Sequence, residues 1–284
     1  MTLPGLTLLG TTASSGKSLL TRSLAFLARS TGQAVEIYKP VVMTLQPHPV
    51  AGRTVDLSMH LSVLAADYDD PWRAKACSYL AKSVGDGAYL YPVGGLDCAA
   101  PVGKLPRLSE DGIDFTELAD AMLCDVRARC IAAVHEKTGF LITEGAGGAT
   151  DAVSHDLSNA LIAEYAQRPV VLVAGARRGG VAASLTGTTR LLGEGTRRLV
   201  CGFVVNGVTS HTRTRPMVAR AEDATGSPCL GIIPLIPCYA QLPDRGCGRP
   251  VYDTWSEEIA AVADFVRPFL TDALLALLTA EVDG

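Results

Sequence analysis

Short runs of apolar, often β-branched residues recur along the 284-residue chain, separated by longer stretches in which apolar positions fall three and four apart. LTLLG at 6–10 precedes a helical pattern over 17–31, which is followed by AVEIYKPVV at 34–42. GFLITEG (139–145), RPVVLVAG (168–175), LVCGFVVNGV (199–208) and CLGIIPLIP (229–237) come later, each beside a helix-like segment. These runs are near-continuously apolar, as strands are when helices cover both faces of a parallel sheet. Strand–helix alternation of this kind predicts right-handed βαβ units and an α/β fold.

The stretch 44–114 is less regular. DLSMHLSVLAADY (56–68) and PWRAKACSYLAKSV (71–84) read as helices, and YLYPVGGLDCAAPVGKLP (89–106) reads as an irregular insertion. Near the end, Thr254-Trp255-Ser256-Glu257 has capping-box spacing. It predicts a helix through EEIAAVADFV, an interruption near Pro268, and a continuation into TDALLALLTAEV. No repeat, low-complexity tract or linker divides the chain, so residues 1–284 are read as one domain with a helical C-terminal extension over about 254–284.

Composition narrows the class. Apolar residues make up 48% and charged residues 19%, a globular balance, and the formal net charge of −4 leaves no footprint for nucleic acid. Eight cysteines include no C-x-x-C pair, and several sit inside apolar runs, so they read as reduced core residues and not as a zinc site or disulfide framework. The five histidines have no metal-ligand spacing. No leader pattern and no apolar stretch of about 18 residues is present, so the expected location is the cytoplasm, without a membrane partner.

Candidate chemistry begins at GTTASSGKS, residues 10–18, between the first strand and the first helix. Gly16-Lys17-Ser18 ends as a nucleotide-binding P-loop does, although Gly10 lies one place earlier than the usual first glycine. Backbone amides and the helix N-terminus would face phosphate oxygens, Lys17 would add a mobile charge, and the Ser18 hydroxyl would reach Mg²⁺. Glu144 ends the strand FLITE before a glycine-rich turn and is a carboxylate suited to the metal, with Asp56 a second candidate or simply a helix N-cap. Lys39, in IYKPVV, stands at the strand end where α/β sheets bind ligands.

Taken in order, GTTASSGKS, YKPVV, the Asp56 segment, TEGAGG, VVLVAG, GFVVNGV and LGIIPLIP resemble dethiobiotin synthetase and the synthetase domains of cobyric acid synthase and cobyrinic acid a,c-diamide synthase. The similarity covers about residues 5–240, and the superfamily's loop, G-T-x-x-x-x-G-K-[ST], carries its glycine one place early as this chain does. The resemblance implies a three-layer P-loop NTPase fold with a mostly parallel sheet, ATP and Mg²⁺ as cofactors, and an ATP-dependent ligase. A carboxylate or carbamate would be activated by phosphoryl transfer and captured by an amine.

Carried over, Lys17, Lys39 and Thr11 would be catalytic. Gly10, Thr12, Ser14, Ser15, Gly16, Lys17 and Ser18 would hold the phosphates, with Asn206, Pro234 and Leu235 around adenine. Lys39, Gly147, Gly148, Arg177 and Gly179 would meet the substrate, and Ser18, Asp56 and Glu144 the metal. The expected partner is a small carboxylate or diamine substrate, with homodimerisation implied by the family.

The stand-alone dethiobiotin synthetase-like reading, possibly ring-closing, comes first. The alternatives are a cobyric acid synthase-like amide ligase taking ammonia from a separate source, because only about forty-five residues follow Pro237, and a partitioning-type ATPase switch. Departures exist on both sides. Ala174 and Ala176 stand where cobyric acid synthases have aspartates, and Thr12, Met43 and Ala182 replace dethiobiotin synthetase residues.

Overall fold

Six parallel strands form the centre, in the order Cys229–Pro234, Val200–Val208, Val170–Gly175, Gly5–Gly10, Phe140–Glu144, Val35–Tyr38. This is a computed structural model, and it describes residues 4–44, 47–50, 53–69, 71, 74–84, 87–93, 101, 103–105, 108–109, 112–113, 120–151, 156–177, 179–236 and 254–279. Alternate side chains of the strands enter different cores. Leu6, Leu8, Phe140, Ile142, Val171 and Val173 pack on one face with the helices Lys17–Ser30, Leu57–Ala65 and Trp255–Val266. Leu9, Leu172, Phe203 and Val205 pack on the other face, with Val181–Leu191 and His211–Thr225. Leu141 joins Asp120–His135 and Ala160–Ala166 on that same side. The architecture is the expected helix–sheet–helix sandwich of a P-loop NTPase-type domain, with a sheet that is parallel throughout.

The strand order places the site. From the central Gly5–Gly10 strand the chain passes through a helix to the outer Val35–Tyr38 strand, leaving a slot that Phe140–Glu144 later fills, and subsequent strands add on the opposite side. A reversal of this kind opens a crevice at the carboxyl ends of the strands, where α/β folds bind ligands.

Two expectations for the middle of the chain are corrected. AVEIYKPVV is not one strand: Val35–Tyr38 belongs to the central sheet, and after Lys39-Pro40 the chain enters a second sheet at Val41–Met43. Tyr79–Val84, read as helical, is a strand of that second sheet, followed by Gly87–Pro92 and Gly103–Leu105 from the stretch read as irregular. Alanine and lysine favour a helix locally, but here the side chains alternate: Tyr79 and Ala81 enter one core and Leu80 the other. Packing on two faces overrides such weak propensities. The helix read in 56–68 is present as Leu57–Ala65.

The C-terminal segment is part of the main core. Leu270 bridges to Gly231, Thr271 N donates to Leu230 O at 2.9 Å, and Leu274 and Leu278 are buried with the first helix's leucines. The capping box is present: Glu257 N donates to the Thr254 hydroxyl at 3.2 Å and Thr254 N donates to the Glu257 carboxylate at 3.0 Å. Pro268 ends the helix in a single turn of 3₁₀ helix, Arg267–Phe269. Thr254→Ala should lower stability by about 1 kcal/mol, read as an earlier urea midpoint with an unchanged slope.

Candidate functional site

The P-loop-like segment leaves the strand at Gly10, anchored by Thr11 N donating to Val173 O at 2.9 Å, and enters the helix through Gly16 in the left-handed region at φ 99°. Thr11 and Ser15 are buried, while Thr12 and Ser14 are exposed on the loop. Lys17 folds back along the loop, and its ammonium donates to Gly147 O at 2.5 Å.

That path accounts for the early glycine. A Cβ on Gly10 would lie 2.5 Å from Lys17 Nζ, 2.7 Å from Ser15 Oγ and 2.8 Å from Thr12 O. Only glycine lets the lysine pass, so Gly10→Ala should displace the ammonium and weaken nucleotide binding at least tenfold, measured by calorimetric titration. An unchanged affinity would show that the ammonium is not needed where it stands.

Glu144 is fully enclosed at the end of its strand. Its Oε1 accepts from the Ser18 hydroxyl at 2.6 Å and from Lys39 Nζ at 2.7 Å. Burial alone would raise the Glu144 carboxyl's pKa, but the Lys39 charge and hydrogen bond, with help from Ser18, outweigh it and hold the pKa below the ordinary value. Burial likewise works to lower Lys39, and Glu144, then Asp56, reverse that and keep its ammonium charged. Among the described residues, Lys17 has no such carboxylate in hydrogen-bond contact. Desolvation, followed by the Lys39 charge, lowers it to about 8, with Glu144 and Asp151 only partly opposing.

Asp56 is buried and caps the helix Leu57–Ala65, accepting from Ser58 N at 3.0 Å and the Ser58 hydroxyl at 2.5 Å. It therefore serves as an N-cap and also contributes charge beside Lys39. On the other side of the P-loop, Asn206 lies near the end of the Val200–Val208 strand, its amide donating to Ser15 O at 3.2 Å. Pro234 and Leu235 lie next to it, Leu235 N donating to Val208 O at 2.9 Å. Gly147 and Gly148 are buried against the loop, whereas Arg177 and Gly179 lie exposed after the Val170–Gly175 strand. All of these belong to one edge of the sheet.

Two contributors were not anticipated. Asp151 accepts from Gly148 N at 2.7 Å, and the buried Asn159 amide donates to Ala146 O at 2.9 Å. Together they brace the turn whose carbonyl holds Lys17. An Asp three residues beyond a glycine pair, and an Asn just ahead of a helix, are faint signals because both are ordinary turn residues.

The donor set suits Mg²⁺ with a triphosphate. Ser18 and Glu144 offer oxygen ligands to a hard cation, and helix geometry leaves the first N–H groups of Lys17–Ser30 without partners inside the helix. Among the described residues no cluster of three or more His, Cys, Asp or Glu is arranged for a metal. Mg²⁺ takes one or two protein ligands and completes its shell with phosphate and water.

Comparison with known proteins agrees with this arrangement. The family model described as an AAA domain matches residues 115–241, the stretch that carries Glu144 and Asn206. A probable cobyric acid synthase of Methanoculleus marisnigri is 29% identical over 265 residues, covering 87% of this chain and 50% of that protein. The cobyric acid synthase of Desulforudis audaxviator is 32% identical over 243 residues, 83% of this chain and 46% of its own length. That of Thermodesulfovibrio yellowstonii is 30% identical over 237 residues, 80% and 44%. The chain thus spans about half the length of the curated relatives it matches. Carrying a P-loop NTPase-type domain whose lysine, serine and glutamate meet at the sheet's ligand edge, it is a distant homologue of cobyric acid synthases, at about 30% identity.

Proposed function

We propose that the chain is an ATP-dependent amide-forming ligase, which uses ATP to activate a carboxylate for capture by an amine. The reading rests on one observation: Lys17, Ser18, Lys39 and Glu144 meet at a single crevice on the carboxyl edge of the sheet. Cobyric acid synthase relatives favour the amide-ligase reading over ring closure of the dethiobiotin kind. Thr12, Met43 and Ala182 depart from dethiobiotin synthetase and Ala174 and Ala176 from cobyric acid synthase, so the relatives carry the choice between the two.

The chemistry needs two anions, a triphosphate and an acceptor carboxylate, held against each other. That arrangement is costly unless fixed positive charge offsets the repulsion. Lys17 would turn from the Gly147 carbonyl to the phosphates, and Lys39, beside the crevice mouth, would neutralise the acceptor oxygen. Ser18 and Glu144 would hold the metal, which when bound spreads the charge developing on the transferred phosphoryl group. Asn206, with the backbone of Pro234 and Leu235, would receive adenine. Asn206→Ala should then lose preference for ATP over GTP at least tenfold in competition binding, and an unchanged preference would remove that role.

The test is chemical trapping. The chain is incubated with Mg-ATP, a panel of polycarboxylates and hydroxylamine, which intercepts an acyl phosphate as a hydroxamate whatever the natural nitrogen donor. Carboxylate-dependent hydroxamate and ADP are expected, with amide replacing hydroxamate when ammonium is supplied. ADP release that no carboxylate stimulates would sink the proposal.

A further inference from the structure

The helices Lys17–Ser30, Leu57–Ala65 and Trp255–Val266 pack against one another on one face of the central sheet, and where they part they leave an open cavity of about 470 Å³. Its apolar lining is Phe26, Leu64 and Ile259, one from each helix. Lys17–Ser30 begins at the P-loop and Leu57–Ala65 at Asp56, but Phe26, Arg29 and Leu64 lie toward the far ends of those helices. The helical rise puts Arg29 about 18 Å from Lys17 along the axis, so the cavity is separate from the nucleotide crevice.

The turn that ends Leu57–Ala65 carries the polar rim. Asp67 N donates to Leu64 O at 3.0 Å and Tyr68 N to Val63 O at 2.9 Å, the two bonds of a Schellman ending, with Asp67 left-handed at φ 72°. Such a turn favours glycine at that position, and the carboxyl end of a helix favours cations over carboxylates. The chain instead puts Asp67, Tyr68 and Asp69 there, all exposed and all lining the cavity. Arg29 answers one of the two carboxylates, its guanidinium lying 2.9 Å from Asp67 and 5.6 Å from the Phe26 ring centroid. With side-chain exposures of 36% and 81%, that pair adds little to folding. Asp69 has no paired cation among the described residues. The backbone turn is closed by its own amides, so it needs neither carboxylate.

We infer that this cavity is a second binding site, for a small organic ammonium ion with an aromatic body. The ammonium takes Asp69 and shares Asp67 with Arg29, at the helix end whose dipole also draws positive charge. Tyr68 adds an aromatic face to the same rim. The body is buried on Phe26, Leu64 and Ile259, in a volume within the range of small-molecule sites. Selectivity comes from charge: an anion of the same shape meets two carboxylates and a single guanidinium that is already paired. The site goes beyond the ligase reading, because at this distance from Lys17 its ligand is neither the nucleotide nor the acceptor.

The probe is tryptamine, titrated by ligand-observed NMR against tryptophol and indole-3-acetate, which keep the body and replace the ammonium by a hydroxyl or a carboxylate. Tryptamine should bind at least tenfold more tightly than either, and its affinity should be unchanged in saturating Mg-ATP. Asp67→Gly, which suits the left-handed turn, should weaken tryptamine at least tenfold without lowering the melting midpoint. Asp69→Asn should weaken it about fivefold. Ser256→Trp, at an exposed position on the cavity, should fill it and abolish binding of tryptamine and tryptophol alike. Equal binding of the three probes, wild-type affinity in any of these variants, or displacement of tryptamine by Mg-ATP overturns the site. None of these readouts involves turnover, so a chain that fails the hydroxamate test still reports on the cavity, and a working ligase that ignores tryptamine sinks this site alone.

Discussion

Lys17→Met should abolish nucleotide turnover, by a factor of at least 10³, and at the same time should raise the melting temperature of the nucleotide-free protein. The first effect follows from removing the fixed charge that the terminal phosphates require, in a reaction whose catalysis is almost entirely positioning and charge stabilisation. The second follows from desolvation. Burial and the Lys39 charge bring Lys17 down from its ordinary 10.5 to about 8. A group lowered on folding contributes fully only above its unfolded value and loses that contribution as pH falls through the folded one.

At neutral pH the charged Lys17 therefore opposes folding by about 3 kcal/mol, as converted from its shift. Loss of its hydrogen bond to Gly147 returns about 1 kcal/mol of that. A rise of a few degrees remains, measured by calorimetry in the absence of ligand at pH 7. The gain should shrink as pH is raised above 8, where the wild-type lysine is already neutral. A variant that melts earlier than wild type at pH 7 would contradict the electrostatic account.

Glu144→Ala is the second large effect, and it goes the other way in stability. It should remove turnover, because the carboxylate proposed for the metal is gone, and it also leaves Lys39 enclosed without the oxygen that stands 2.7 Å from it. Breaking a buried pair by deleting one partner costs about 3 kcal/mol or more. The sign with pH is fixed by the depressed carboxyl. Its contribution is fully present above the ordinary 4.5 and is lost as pH falls through the lower folded value. The gap between wild type and Glu144→Ala in urea midpoint should thus be constant from pH 5 to 7 and close on acidification. The double variant Lys39→Met/Glu144→Leu should recover most of the stability and none of the turnover, since an apolar pair fills the space without charge to desolvate. A gap that persists unchanged well below the folded carboxyl's titration would assign the loss to packing instead.

The pairing of these two variants separates what each ion does. Lys17 is held on a carbonyl and is ready to leave it, so its removal relieves the empty site. Lys39 is held on a carboxylate, so the pair stabilises the empty site and must open when ligand arrives. At the first lysine the charge costs folding energy that the ligand recovers, and at the second an ion pair that holds the empty site is exchanged for contacts with the ligand.

Much of this was legible along the chain. Continuous apolar runs such as VVLVAG can be satisfied only between two helix layers, and Gly16-Lys17-Ser18 after a strand has the local spacing of a P-loop. The capping box at Thr254 was readable for the same reason, because its partners are three residues apart. Each of these features is local or periodic, so the sequence by itself determined the fold class, the loop and the terminal carboxylate of the third apolar run, Glu144. What it did not determine depends on contacts between distant residues. That Lys17 rests on Gly147, 130 positions away, is what makes Gly10 obligatory, and no spacing rule connects them. That Tyr79–Val84 is a strand was decided by cores on both of its faces against its helix-favouring alanine and lysine. Lys82, Tyr89 and Lys104 likewise come to share one face of the second sheet only through ladder register, which is itself set by the burial of Tyr79, Ala81, Leu90 and Leu105 on the other face.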